Sequence, residues 1–431
     1  MFFNAMVRGG LAVSLVLSLC CPLYAQADQA GSAAKADDAK AAGANGAPAG
    51  GPGTAAGDPN QSRLATAEWL EKAFEGNEMP ESVRMLVAIA RGSQMGPGEG
   101  WFGPAATRYD WKWLAAANGS EAATEISEQQ FRGSKPDFAR LDRNQDGRIT
   151  PSDLDWSDGN PYVQQFNLIV RLFRRMDRKG DGQLTREEFS ALFEQAAAGR
   201  DYVTSADLAE TLLAGFGSAA GPRAGPTPEM LVRGLFRGEV GSLNAGPALN
   251  ATAPDFSLKT HDGQQTIRLS DLRGPKPIVL VFGNFTCGPF RATYPLIDEL
   301  FQRYRERATF LAVYVREAHP TDGWRMDSNS AVGIDLAQPK TYEERLAVAQ
   351  RCQATLKYSM PLVVDEINDP VGNAYSGMPG RFYVIDGEGK VAYKSGRGPF
   401  GFKPGELEQA LVMTLLNQQL KAEAPVASTL E

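Results

Sequence analysis

Residues 277–290 read "PIVLVFGNFTCGPF". Ile278–Phe282 is an unbroken apolar run, the pattern of a strand buried on both faces. The next segment, "FRATYPLIDELFQRYRER" from Phe290, has a helical period. Cys287 therefore falls between a strand and a helix, which predicts its sulfur at a helix N-terminus. Unpaired N–H groups and the helix dipole favour the thiolate there, and the thiolate is the nucleophile. Pro289 suits a first helical turn, where its missing N–H has no helical partner. The turn has the form Cys-Gly-Pro-Cys with Phe290 in place of the second cysteine.

The segments downstream of this helix alternate. "FLAVYV" reads as a strand, "TYEERLAVAQRCQATL" as a helix, "PLVVD" and "RFYVID" as strands, "KVAYKS" as a strand after a Gly-containing turn, and "PGELEQALVMTLLNQQL" as a helix. This is a βαβ unit followed by ββα, the thioredoxin arrangement. "APDFSLKTHDGQQTIRLSDLRG" predicts a β-hairpin before it. In "SGMPGRFYVID", Pro379 stands just before a strand, and this arrangement predicts a cis-proline facing the cysteine.

The chain has 431 residues, which calls for more than one core. Its formal net charge is −7 and it has no long basic run, which argues against nucleic acid as a partner. Residues 1–27 have the form of an export signal: Arg8, an apolar run from Leu11 to Cys21, then Ala25 and Ala27 in a small-x-small pattern. The run is shorter than the roughly 20 residues that span a bilayer. The expectation is a periplasmic or secreted protein with no membrane span after cleavage. Of the four cysteines, cleavage would leave Cys287 and Cys352. If Cys287 has a partner in the chain it must be Cys352, which reads either as a core residue or as a resolving thiol.

The composition predicts an Ala/Gly/Pro-rich tether at 28–60, a first domain at 61–217, a linker at 218–246, the thioredoxin-like domain at 247–420 and a tail at 421–431. The expected fold is an all-α EF-hand pair followed by an α/β thioredoxin-like domain.

The EF-hand assignment rests on two loops. In "DRNQDGRITPSD", Asp142, Asn144 and Asp146 hold positions 1, 3 and 5, Gly147 position 6, Arg148 position 7 and Asp153 position 12. In "DRKGDGQLTREE", Asp177, Asp181, Gln183 and Glu188 hold positions 1, 5, 7 and 12. This spacing wraps hard oxygen donors around a calcium ion. Asp153 replaces the usual Glu, and Lys179 brings an ammonium to position 3 of the second loop. Ile149 stands at position 8, where paired loops form a short β contact. "FNLIVRLFRRM" reads as the shared apolar helix between the loops.

Residues 278–326, with "PLVVDEINDPVGNAY" and "GRFYVIDGEGKVAYKSGRGPFGFKPGELEQAL", resemble the iodothyronine deiodinase family. The most distinctive string is "EAHPTDGW", Glu317–Trp324. The resemblance covers roughly the whole second domain and implies a thioredoxin fold. It places a nucleophile at Cys287, where the family has selenocysteine, and a proton-transfer and substrate-binding role at His319. Phe285 stands where the family often has a cysteine. The only other histidine is His261, so 329–341 lacks the family's second one.

The sequence thus predicts an exported thiol oxidoreductase, deiodinase-like or peroxiredoxin-like. Cys287 would reduce a peroxide, disulfide or halogenated aromatic at one sulfur, with His319, Pro379 and Cys352 as further candidates. The substrate would be a small molecule or a protein disulfide, and an external thiol the donor. The alternative is a calcium-responsive binding module whose thioredoxin domain is silent.

Overall fold

The computed structural model describes residues 59–92, 105–119, 121–213, 227–398 and 401–423. The predicted leader lies outside them. The strands are β1 (Ala106–Thr107), β2 (Ile126–Ser127), β3 (Arg148–Ile149), β4 (Ser257–Thr260), β5 (Thr266–Arg268), β6 (Ile278–Gly283), β7 (Thr309–Tyr314), β8 (Leu362–Val364), β9 (Arg381–Ile385) and β10 (Val391–Lys394). Eight of them form one sheet in the order β1-β10-β9-β6-β7-β8-β4-β5. β6, β7 and β8 run parallel, whereas β9 is antiparallel to β6 and β10 to β9.

The helices that matter to the site are α1 (Glu81–Ala90), α2 (Lys135–Leu141), α3 (Pro161–Met176), α4 (Arg186–Ala197), α5 (Pro228–Phe236), α6 (Gly288–Tyr304), α7 (Tyr342–Leu356) and α8 (Pro404–Glu423). β6-α6-β7 and β9-β10-α8 form the thioredoxin core. The predicted upstream hairpin is β4–β5, which pairs with β8 and widens the sheet. Every residue of β6 is buried, as the apolar run requires.

The first EF-hand is built into the same core. Tyr109, Leu114, Ile126, Phe138, Leu141 and Ile149 share one buried cluster with the sheet. β1 adds to the sheet edge against β10, and Arg307 forks onto Asp137 of α2 with two bonds of 2.7 Å. The second EF-hand, α3 to α4, contributes no side chain to that cluster among the described residues.

Two expectations for this region are corrected. Ile149 pairs with Ile126, not with the second loop. The upstream segment supplies its own turn and cap, with the amide and hydroxyl of Ser127 both donating to Gln130 Oε1. The second concerns "FNLIVRLFRRM": it forms the helix between the loops as expected, but its apolar side chains are not enclosed, since only Val163 of α3 is buried and Ile169 is 60 % exposed.

Glu81 at the start of α1 accepts bonds from Arg381 (3.2 Å) and Arg397 (2.9 Å). All three are buried. A buried carboxylate of this kind is sustained by charged, hydrogen-bonded partners, and removing one leaves an uncompensated charge. The triad ties α1 to β9, the strand that follows Pro379. α5, inside the predicted linker, packs Leu231 and Leu235 against Met85 and Ile89 of α1.

Candidate active site

Cys287 is the N-cap of α6, as the sequence predicts. Phe290 occupies the place of a second cysteine and is core. Its ring fills the space beside Gly283 where a side chain would sit and packs on Phe402, with ring centroids 5.9 Å apart.

The polar residues beside Cys287, which sequence reasoning missed, hold the turn. Asn284 Oδ1 accepts from the amides of Cys287 (3.0 Å) and Ala318 (3.1 Å), and its Nδ2 donates to the carbonyl of Pro379 (3.1 Å). One buried amide thus joins three segments: the nucleophile turn, the chain after β7 and the Pro379 loop. The Met378–Pro379 peptide is cis. Thr286 donates through its amide (2.8 Å) and its hydroxyl (2.7 Å) to Glu317 Oε2, and its hydroxyl oxygen accepts from the His319 amide (3.0 Å). Tyr314 donates its hydroxyl to the other Glu317 oxygen. Arg291 donates to the carbonyl of Phe285 (2.6 Å) and to Asn329 Oδ1 (2.9 Å). A sequence signal existed for part of this: Asn284 and Thr286 are polar residues at the end of a wholly apolar strand.

His319 Nδ1 faces the Trp324 carbonyl at 3.0 Å. A carbonyl only accepts, so Nδ1 carries the hydrogen and Nε2 keeps its lone pair. Burial lowers the His319 pKa, which favours the neutral ring. Burial raises that of Glu317, against the pull of its Tyr314 and Thr286 hydrogen bonds.

The thiol overturns one expectation. Cys287 is 3 % exposed, and burial pushes its pKa up to about 11. The Phe290 amide and the Arg291 charge act in the opposite direction, as the helix terminus predicts, but desolvation outweighs them. Burial therefore favours the protonated thiol. Cys352 lies inside α7, fully buried, and burial raises its thiol as well. Both cysteines are free. A Cys352 so enclosed is a core residue in this state, and pairing with Cys287 would require α7 to unwind.

The EF-hand candidates are arranged as two tight loops. Asp142 accepts from the amides of Asp146 (3.1 Å) and Gly147 (2.9 Å), and Asp177 from those of Gly180 (2.7 Å) and Gly182 (2.8 Å). Asp153 and Glu188 each close a capping box at position 12. Asp142, Asp153, Asp177 and Glu188 are all buried, and such inward carboxylates suit a hard cation. Asn144 and Asp146 complete the oxygen set of the first loop, which fits calcium in donor type, with Arg148 at position 7. The second loop fits less well, because Lys179 fills position 3; against desolvation, the hydrogen bonds from Thr185 and then the amide and charge of Lys179 hold Glu188 down to about 2. Asp181 caps the amide of Gln183 at 2.9 Å. Among the described residues no group of three or more His, Cys, Asp or Glu side chains is poised to hold a metal.

Comparisons with known proteins agree with this division. The sequence profile of iodothyronine deiodinase matches residues 233–414, and the EF-hand profile matches 137–155 and 169–193. The C-terminal region is iodothyronine deiodinase-like. Thyroxine 5-deiodinase of Gallus gallus is 38 % identical over 160 residues, 37 % of this chain and 60 % of that protein. That of Sparus aurata is 30 % identical over 181 residues, 42 % of this chain and 66 % of that protein. The type I iodothyronine deiodinase of Xenopus laevis is 33 % identical over 136 residues, 32 % of this chain and 52 % of that protein. The chain thus spans about half to two thirds of these relatives. A thioredoxin-family thiol:disulfide interchange protein of Chlorobium tepidum superposes with TM-score 0.28 at 16 % identity, covering 39 % of this chain and 99 % of that one. The exposed lipoprotein thioredoxin of Streptococcus pneumoniae gives 0.26 at 24 % identity, over 37 % and 98 %. The thioredoxin-like fold rests on the strand order. Among the described residues no helix is long and apolar enough to cross a membrane.

Proposed function

We propose that the chain is an exported oxidoreductase that uses Cys287 as its one reacting sulfur, with an external thiol as donor and a calcium-binding EF-hand segment in front. The observation that carries this reading is the seat of Cys287. Cys287 caps the helix α6 at the end of the buried strand β6, and Thr286 beside it is wired to both Glu317 and the His319 backbone.

With an iodinated aromatic the sulfur takes the iodine. The C–I bond breaks, an S–I bond forms, and the thiol proton ends on carbon. A donor thiol then forms a mixed disulfide with release of HI, and a second donor thiol frees Cys287 and leaves as disulfide. With a peroxide the same sulfur becomes a sulfenic acid and releases an alcohol or water. With a disulfide it forms a mixed disulfide and expels a thiol. His319 Nε2, with its lone pair free, is the candidate to move the proton, and Pro379 shapes the facing wall. With Cys352 enclosed, regeneration falls to the external thiol. When bound, calcium would supply charge neutralisation and rigidity at Asp142, Asn144, Asp146 and Asp153.

The test is to expose the full chain, without donor thiol, to hydrogen peroxide, glutathione disulfide or 3-iodotyrosine and read the mass of the Cys287 peptide. The reading expects an adduct at Cys287 with at least one probe. The buried thiol favours a second reading, a binding module with a silent thioredoxin domain. Cys287 unmodified by every probe would contradict the enzymatic reading.

A further inference from the structure

The second EF-hand turn reaches across the chain to the helix that Cys287 caps. Gly182, at position 6 of that loop, lies against the backbone of Ala292 in α6. A Cβ added to Gly182 would meet the Ala292 carbonyl, with its carbonyl carbon at 2.8 Å and its Cα at 3.0 Å. Gly180 packs near Val332, with Cγ1 3.6 Å from an added Cβ. α3, which leads into this loop, brings Arg174 close enough to Cys287 for each to act on the other electrostatically. Asp177, at the start of the loop, acts in the same way on Arg291.

The contact is close but weakly anchored. The α3–α4 segment adds no side chain to the shared core among the described residues. Segments with few buried apolar contacts are the ones that open locally. The first EF-hand lacks both features. It is embedded in the core, and its equivalent glycine, Gly147, has nothing within 4 Å of an added Cβ.

We infer that the second EF-hand turn is a lid over the Cys287 sulfur, seated through Gly182 on the α6 backbone, and that the sulfur becomes reachable when the turn lifts. This rests on Cys287 being the reacting group, a sulfur that is 3 % exposed and packed in the shared core. Lifting the turn restores solvent to the sulfur while the α6 amides stay in place.

The matched glycines give the test. Gly147 and Gly182 both have positive φ, at +83° and +78°, so substitution strains both backbones alike. Only Gly182 has a surface to be wedged from. Iodoacetamide labelling of the full chain in chelator, with Cys287 and Cys352 read separately by mass spectrometry, should run at least tenfold faster at Cys287 in Gly182→Trp than in Gly147→Trp. Gly182→Ala should fall between Gly182→Trp and wild type, and it carries the test if the Trp variant does not fold by circular dichroism. Cys287 labelling no faster in the Gly182 variants than in their Gly147 counterparts would overturn the lid. Because labelling reads access and not turnover, the lid and the proposed chemistry can fail separately.

Discussion

Thr286 and Glu317 are joined twice, through the Thr286 amide at 2.8 Å and its hydroxyl at 2.7 Å, both to Glu317 Oε2. The same hydroxyl oxygen receives the His319 amide at 3.0 Å. One side chain next to the candidate nucleophile thus holds both the Glu317 carboxylate and the backbone of His319. Thr286→Val keeps the shape and deletes the hydroxyl, leaving a buried carboxylate short of one donor and a buried amide without an acceptor. Such losses cost about 1–3 kcal/mol. Urea unfolding at neutral pH should show that loss, and a variant as stable as wild type would mean the network is not made.

Gly283 and Phe290 form the second local relationship, an absent side chain under a buried ring. Gly283→Ala forces the ring out of its site in a packed core, a change that costs about 1–3 kcal/mol. The prediction is a lowered urea midpoint with an unchanged slope. Phe290→Cys, which completes a Cys-Gly-Pro-Cys string, should be less stable than wild type by about 2–4 kcal/mol, since it empties an aromatic site.

The loops make different claims on calcium. Titration calorimetry of wild type should find one site, lost in Asp142→Ala. Lys179→Asp removes the ammonium from position 3 and adds an oxygen donor, so it should create a second site. Two equal sites in wild type, or heat surviving Asp142→Ala unchanged, would contradict this assignment.

Glu406 gives a pH signature. Burial pushes its carboxyl from an ordinary 4.5 up to about 7, opposed by Lys403 and the Tyr393 hydroxyl. A raised folded-state value means that the native chain holds a proton the unfolded chain has released. The stability this provides is complete below about 4.5 and is lost as pH rises through about 7. Melting temperatures at pH 5 and pH 8 should therefore differ less in Glu406→Gln than in wild type. An equal or larger difference in the variant would refute the shift.

The fold was legible because its signals are local. β6 is an unbroken apolar run, Pro289 marks the first turn of α6, and the turn after "RFYVID" closes β9 onto β10. Cys287, His319 and Pro379 stood out by their positions at strand ends. What stayed hidden depends on pairing across long separations. Glu81 meets Arg381 and Arg397 only because α1 folds against β9, and no periodicity in "ESVRMLVAIA" announces a buried ion triad. The Ile126–Ile149 pairing was invisible because the upstream turn lacks the acidic spacing that marks a calcium loop. The thiol was misjudged for a related reason. The helix terminus is a local feature, whereas burial of the sulfur depends on tertiary packing around it.

The most direct measurement compares turnover of wild type, Cys287→Ser and Cys352→Ser on peroxide, glutathione disulfide and iodotyrosine with an external thiol supplied. Cys287→Ser should lose turnover of every probe wild type reduces, while Cys352→Ser, properly folded, should retain it. Turnover that survives in Cys287→Ser would contradict the account.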